Sequence, residues 1–524
     1  MVRKLFTLYA LSVAFGWLAA QKPNLIPIQG LKGAGYPAHA ELNWENPNNF
    51  LLEIYRYDSQ KRLFRKIAET NWDSYFDFMS KPVEKKQDLV YRVVPKGLPP
   101  ESKEAARFEI TIGMIPATQE ALLDMTQRYT TRYFFDFAEP ITGMARERCN
   151  NTDGDIVTTG GTGFGVMALV AGVERKYFTR AEAFEAIGKI VGFLEKAERF
   201  HGAWAHWYDA GTGEVFSPGR YGDGGDLVAT AFLMEGLLAA SAYFNKNNAD
   251  EKLLVDRISR LWETVEWSWY TRGTDLLYSY WSKNHGWKMS RSLNGFDEAL
   301  IAYVLAASSP TYPIERSVYE NGYKKSSYYL NGKNYYGVKL DLGMEYGGPL
   351  SFAHYSFLGL NPNGLTDGST NYFEQNRKHA LVQVAYATEN PNKHEGLGPS
   401  CWGFTLSDDP VDGYSPHRPG TKEENGTISP TAAISSIVYT PTESLNALRN
   451  FYFVKGRKLF GKFGFYDAFN MDMVEGQQVV HSYRAIGQGP IAVMIENYRS
   501  GLLWSLFMKN ADVKRGLTKL GFSY

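Results

Sequence analysis

The chain has 524 residues with 56 basic and 56 acidic side chains, so it carries no net charge to attract nucleic acid or a polyanion. Two cysteines, Cys149 and Cys401, cannot build a disulfide framework, though they could form one bridge in an oxidising compartment. The length supports more than one domain around a large core, no Cys/His cluster has metal-ligand spacing, and neither metal nor cofactor is expected.

Residues 1–20, MVRKLFTLYALSVAFGWLAA, place Arg3 and Lys4 before an apolar run from Leu5 to Leu18 and close on Ala19-Ala20. A charged start, a short apolar middle and a small-residue exit are the layout of a secretory signal. The run is shorter than the roughly 20 residues a spanning helix needs, and no cysteine follows it to carry a lipid. An exported protein is predicted, monomeric and with no membrane span after signal removal.

Residues 24–113 alternate with a period of two in short runs: Ala38–Trp44, Phe50–Tyr57, Leu63–Glu69, Leu89–Val94 and Phe108–Ile112. Turn-forming clusters such as Glu45-Asn46-Pro47-Asn48-Asn49 separate them, which predicts a small antiparallel β-sandwich. The pieces AELNWENP, LLEIYRYD and LVYRVVPKG resemble a fibronectin type III domain. Nothing in this segment has catalytic character. A spacer, a packing partner or a weak sugar-binding module is expected.

After Gly113-Met114-Ile115-Pro116 the period changes to about 3.6, and the second domain is taken as 114–524. Thr179-Arg180-Ala181-Glu182 is a capping box, followed by Phe184, Ile187, Ile190, Val191 and Leu194 on one helical face. Thr440-Pro441-Thr442-Glu443 is a second start signal, with proline at the first helical position. Further helices are predicted near 118–134, 162–174, 226–245, 250–269, 296–307, 371–389, 430–438, 443–454 and 489–507. Helices arriving in pairs along this length suggest a closed ring of helix hairpins, an α/α toroid, as one candidate among large α-helical folds.

Several long blocks then become recognisable. TTGGTGFGVMALVAGVERKYFTRAEA, FLEKAERFHGAWAHWYDAGTGEV and GDGGDLVATAFLMEGLLAA resemble the bacterial glucoamylase-like (glycoamylase) domain. So do NGFDEALIAYVLAASSPTYPI, SPTAAISSIVYTPTESLNALRNFY and GQGPIAVMIENYRSGLLW, and the resemblance spans about residues 120–510. Within that group the chain is most similar to glycoside hydrolase family 144. That resemblance implies a mainly α protein, an (α/α)6 barrel behind a small antiparallel β-sandwich, with inverting β-1,2-glucanase activity on a neutral glucan. A fibronectin-like domain ahead of the barrel also occurs among members from Gram-negative gut bacteria, which implies a periplasmic location.

Glycoside hydrolysis needs one protonated carboxyl at the leaving oxygen and a second carboxylate acting on water or on carbon. Glu298, in Asn294-Gly295-Phe296-Asp297-Glu298, is the candidate acid: it is expected in the first turn of a helix reading ALIAYVLAA, where apolar walls raise a carboxyl pKa and the helix N-terminus lowers it. The resemblance also points to this Glu, and Asn294 is placed among the substrate contacts. Asp223 and Asp226, in Tyr221-Gly222-Asp223-Gly224-Gly225-Asp226, are the candidates for the second carboxylate, with Asp226 also a helix cap. Many relatives read DDGGDLVET where this chain reads GDGGDLVAT, so the carboxylates replaced by Gly222 and Ala229 cannot be essential to an active enzyme here. Glu147, Asp408, Asp409 and Asp412 are rival carboxylates; Glu147 and Asp409 are also taken as substrate contacts.

The aromatic content, 15% with 34 Tyr and 12 Trp, suits sugar binding, because ring faces cover sugar C–H faces while polar edges stay free to hydrogen-bond. Three loops concentrate such residues: Trp204, His206 and Trp207 in HGAWAHW; Tyr346 with His354 downstream; and Trp402, followed by Asp408–Tyr414 with Tyr414 at its end. HGAWAHW does not match the HExxH zinc pattern. The Gly161-Thr162-Gly163-Phe164-Gly165 run looks like part of a dinucleotide fingerprint, but Asp155–Thr159 before it is a poor strand. Asn151–Asp155 has too few ligands for a calcium loop. Alternatives to β-glucan hydrolysis are α-glucan cleavage, a toroid polysaccharide lyase, and a catalytically dead glucan-binding protein. A neutral chain with a carboxylate-rich candidate site disfavours the lyase.

Overall fold

The computed structural model describes residues 28–150, 155–244 and 248–524, so the predicted signal segment and Asn151–Gly154 lie outside the described residues. Two compact units meet in the chain between Pro116 and Ala117.

The first unit is built from β1 (Gln29–Gly35), β2 (His39–Glu45), β3 (Leu52–Asp58), β4 (Leu63–Thr70), β5 (Ser74–Phe78), β6 (Gln87–Pro95) and β7 (Glu109–Met114). They form two antiparallel sheets, ordered β1-β2-β5 and β4-β3-β6-β7. Ala40, Leu42, Trp44, Leu52, Ile54, Tyr91 and Val93 meet between them, as alternation along each strand requires. A polar staple crosses this core: Asp77 of β5 accepts from Arg56 of β3 at 2.6 Å and from the Tyr91 hydroxyl of β6 at 2.8 Å. Strand β1, GLKGAG, carries too few apolar side chains to announce itself by periodicity. Its Gly35 lies so close to β7 that a Cβ there would stand 2.3 Å from the Gly113 carbonyl oxygen.

The second unit is helical. Its helices are α1 (Gln119–Phe135), α2 (Thr159–Glu174), α3 (Arg180–Leu194), α4 (Leu227–Tyr243), α5 (Ala249–Glu263), α6 (Leu300–Ser308) and α7 (Ser351–His354). They continue with α8 (Tyr372–Glu389), α9 (Pro430–Ser435), α10 (Pro441–Arg449), α11 (Ala485–Ser500), α12 (Leu502–Phe507) and α13 (Ala511–Leu520). Helices α2, α4, α6, α7, α9 and α11 are buried nearly all round, which places them inside. They neighbour one another in the order α11, α2, α4, α6 and the turn closing α7, and α9 packs back on α11. The ring closes between α7 and α9, where His354 Nε2 meets Ser436 Oγ at 3.0 Å and the Tyr439 hydroxyl donates to the Ala353 carbonyl at 2.9 Å. Outer helices show one apolar stripe only: Ala183, Ile187, Ile190, Val191 and Leu194 on α3, and Leu254, Val255, Ile258, Leu261 and Trp262 on α5. This is an α/α barrel.

Where α2 crosses α4, a Cβ on Gly163 would stand 2.1 Å from the Phe232 carbonyl oxygen, and one on Gly236 would stand 2.0 Å from that of Gly163. The glycine run that looked like a nucleotide fingerprint is therefore a helix-crossing surface. Contrary to the sequence reading, a short strand, Ile156–Thr158, does precede α2; it pairs with Trp207–Asp209. Helix α6 starts at Leu300 and α5 ends at Glu263, so the predicted helices over 296–307 and 250–269 were too long. Helix α13 was not predicted, although Val513, Leu517 and Leu520 form one buried face behind the Asn510 cap. Cys149 and Cys401 are free thiols, so the bridge left open by the sequence is not made. Among the described residues no helix is long and apolar enough to cross a membrane.

Candidate active site

The residues just before the inner helices converge on one rim of the barrel. Glu298 was expected in the first turn of α6; it stands before the helix instead, next to Asp297, which accepts from the Ala299 N–H at 2.9 Å in the turn leading into the helix. Its Oε2 is buried and has no hydrogen-bond partner, while Oε1 lies 4.0 Å from the exposed Arg291 guanidinium. Burial pushes the Glu298 pKa upward, with the Asp226 charge adding to it and Arg291 opposing it. Burial and the Glu298 charge likewise raise Asp297, to about 8. The charge on either of these adjacent carboxyls makes ionisation of the other harder.

The flank of α4 is organised in the opposite sense. Asp226 Oδ1 accepts from the Val228 and Ala229 N–H groups, both at 2.9 Å, and Oδ2 meets His206 Nδ1 at 2.8 Å. Burial would raise the Asp226 pKa, but the His206 hydrogen bond and charge and the two backbone donors outweigh it, and the carboxylate stays below its ordinary range. Crowding would lower His206; Asp226 and the Glu147 charge raise it instead. Asp223 turns away: Ser282 donates to one oxygen at 2.6 Å, Asn284 to the other at 2.7 Å, and His285 lies 3.8 Å off.

A third group rises before α11. Arg484, 5% exposed, binds Glu147 at 2.5 Å and Asp408 at 3.5 Å, and its guanidinium lies 3.5 Å above the Tyr414 ring centre. Trp207 Nε1 donates to Glu147 at 3.3 Å, which links this group to the His206–Asp226 pair. Asp467 accepts from the Asp408 N–H at 2.7 Å; burial, then the Asp408 charge, push its pKa up to about 7. The Tyr355 hydroxyl is raised above all by burial, then by the charges of Tyr414, Asp467 and Glu298.

Several expected substrate contacts are engaged within the protein's own packing and hydrogen bonds. Trp204 is fully buried and donates to the Leu194 carbonyl at 3.1 Å, and Trp402 is fully buried as well. His354 is the ring-closing contact above, its pKa lowered to about 3 by burial and by His379. Asp409 is buried, with Asn425 and Thr427 on one oxygen and its own turn on the other. Tyr346 packs on Tyr335 at 4.5 Å and on Tyr386 at 5.5 Å, and Asn294 is tied to Ser292 and Ser326. Glu147, His206, Trp207 and Tyr414 do gather on the rim. Arg484, Asp467, Tyr355 and Arg291 went unnoticed in the sequence. One signal could have found Arg484: like Asp226 and Glu298, it is a polar residue just ahead of an apolar helix.

Residues 290–511 match the Glycoamylase family model. An exo β-1,2-glucooligosaccharide sophorohydrolase (non-reducing end) of Parabacteroides distasonis is 40% identical over 509 residues, covering 93% of this chain and 69% of the relative. The chain belongs to the glycoamylase family of glycoside hydrolases. Among solved structures, an endo-β-1,2-glucanase of Chitinophaga pinensis, in complex with sophorotriose and glucose, matches this family member with TM-score 0.75 and 47% identity over 78% of this chain and 99% of that one. A β-1,2-glucanase of Parabacteroides distasonis matches with TM-score 0.83 and 38% identity over 94% of this chain and 72% of that one. An endo-β-1,2-glucanase of Talaromyces funiculosus, 12% identical with TM-score 0.57, shares the glycoamylase member's fold.

Proposed function

We propose that this protein is an exported, periplasmic glycoside hydrolase that cleaves β-1,2-glucan with inversion. The observation that carries it is Glu298: a partly buried carboxyl on the rim, its Oε2 closed off and unpartnered, with a raised pKa. That is the state an acid needs to protonate a glycosidic oxygen near neutral pH. The named activities of the glycoamylase-family relatives supply the linkage.

For the water-activating carboxylate, Asp223 and Asp226 fit poorly. Hydrogen bonds hold both ionised below the usual carboxylate range, which makes them weak bases. Asp467 fits better, because a base poised near 7 matches the working pH. Its carbonyl accepts from Ser429 at the start of α9, two inner helices round the ring from α6. Separation of roughly 6.5–9.5 Å between acid and base admits a water on the face opposite the leaving group. Asp226 then serves to position His206 and α4.

Proton NMR during hydrolysis of linear β-1,2-glucan tests this. The α-anomer should appear first, malto-oligosaccharides should remain intact, and no unsaturated sugar should form. Initial release of the β-anomer would remove the inverting assignment; turnover of malto-oligosaccharides in preference to the β-1,2-glucan would remove the linkage.

A further inference from the structure

The loop that carries Glu298 leans on the wall of a second cleft in the barrel unit, of about 360 Å³, a volume within the range of small-ligand pockets. Tyr328, Leu330, Lys333, Met344, Glu345 and Arg418 line it. The shared wall is specific. Ser326 Oγ donates to Asn294 Oδ1 at 2.9 Å, and the Phe296 N–H donates to the Tyr328 carbonyl at 3.3 Å. Gly295 holds φ +81°, and a Cβ there would stand 2.8 Å from Tyr328 Cβ. Gly343, also lining the cleft, faces the Phe296 ring from the other side. A ligand in this cleft therefore sits beside the acid-bearing loop, only a few residues of chain from Glu298.

The lining states what kind of ligand that is. Tyr328 is 60% exposed and Leu330 66%, which is apolar surface left open to solvent inside a concavity. The charges around it are already neutralised: Lys333 pairs with Glu345 at 3.0 Å, and Arg418 pairs with Glu423. Arg418 Nη1 also rests 3.4 Å from the Met344 sulfur. Such a cleft offers hydrogen-bond donors and acceptors around an aromatic face without net attraction for an anion. A neutral polyhydroxylated ring fits it, with its C–H face on Tyr328 and its hydroxyls toward the paired charges. A phosphate or a uronate would find each cation already matched.

We propose that this cleft is an accessory subsite holding glucosyl units of the same chain, distal to the bond placed at Glu298. The proposal rests on the β-1,2-glucan reading above. Occupying it lengthens the bound segment, so it favours long chains over short ones.

Calorimetric titration of the full-length Glu298→Gln protein with linear β-1,2-glucan oligosaccharides of increasing length tests it. Affinity should rise with length. Adding Tyr328→Ala should reduce the affinity for long chains roughly 3- to 10-fold, the worth of one aromatic contact, and flatten that rise. Tyr328→Phe keeps the ring and should retain the affinity, and an unchanged thermal transition separates lost stacking from lost folding. A length dependence identical with and without the Tyr328 ring overturns the subsite alone. Failure of Glu298→Gln to bind β-1,2-glucan of any length, while its fold is intact, overturns the parent reading and the subsite with it.

Discussion

The flanks of α4 and α6 begin from the same plan and end in opposite chemical states. Each places a pair of carboxyl residues ahead of an apolar inner helix. Before α4, Asp226 is consumed by capping and by His206, and Asp223 by Ser282 and Asn284, so both remain ionised. Before α6, Asp297 accepts from the Ala299 N–H of the turn and Glu298 keeps a buried, unpartnered oxygen. Two residues separate Asp223 from Asp226 and none separates Asp297 from Glu298; the spare carboxyl meets polar neighbours in the first pair, and in the second it keeps one oxygen closed off without a partner. Hydrogen-bond donors stabilise the charged form and burial the neutral one, which is how two similar motifs end with one carboxyl pKa lowered at Asp226 and one raised at Glu298.

The largest expected effect is on Glu298. Glu298→Gln should lower turnover on β-1,2-glucan at least ~100-fold, with fold and glucan binding retained, because the amide fills the same space but cannot deliver a proton. Near-normal turnover would erase the distinction between the two flanks.

Next comes Asp226, where the comparison can be sharpened by two substitutions. Asp226→Ala removes the cap of α4 and should cost about 1 kcal/mol in chemical denaturation. Asp226→Asn keeps an acceptor for the Val228 and Ala229 N–H groups and should recover most of that loss, yet it removes the charge opposite His206. The His206 pKa lies above its ordinary 6.5 in the folded protein, so its share of the pair's stability is fully present below 6.5 and is lost as pH rises through the raised value. Asp226 contributes above its ordinary 3.8 and loses its share as pH falls through the lowered value. The Asn variant should therefore lag the wild type most between those limits. A deficit independent of pH would mean that the ion pair contributes nothing.

The smallest effect separates burial from catalysis. Glu235, on α4, is also a buried glutamate whose pKa burial raises well above 4.5, but it accepts from the Gly359 and Leu360 N–H groups at 2.8 and 3.1 Å, away from the rim. Its stabilising contribution is full below 4.5 and is lost as pH rises through the folded value. Glu235→Gln keeps the acceptor and should flatten the alkaline decline of the melting temperature while leaving turnover unchanged. If turnover instead falls as in Glu298→Gln, a raised pKa alone cannot single out the acid.

Local sequence determined a good deal of this protein. Helical periodicity and the capping box located most barrel helices, period-two runs located five of the seven described sandwich strands, and Glu298 stood out as a carboxyl ahead of an apolar run. These features depend on spacing along the chain, which the backbone repeat converts directly into faces and ends of elements. What tertiary structure decided is the environment of each side chain. Trp204 and Trp402, in loops suited to sugar stacking, were drawn into the core, and His354 became a contact between inner helices. Arg484 found Glu147 across 337 residues of sequence, and Asp467 found Asp408 across 59. Such partners are set by closure of the helix ring, and burial and partner charge then decide which carboxyl holds a proton. Neither quantity is encoded in the neighbours a residue has along the chain, so Glu298 could be named from the sequence as a candidate acid but the lack of a partner at its Oε2 could not.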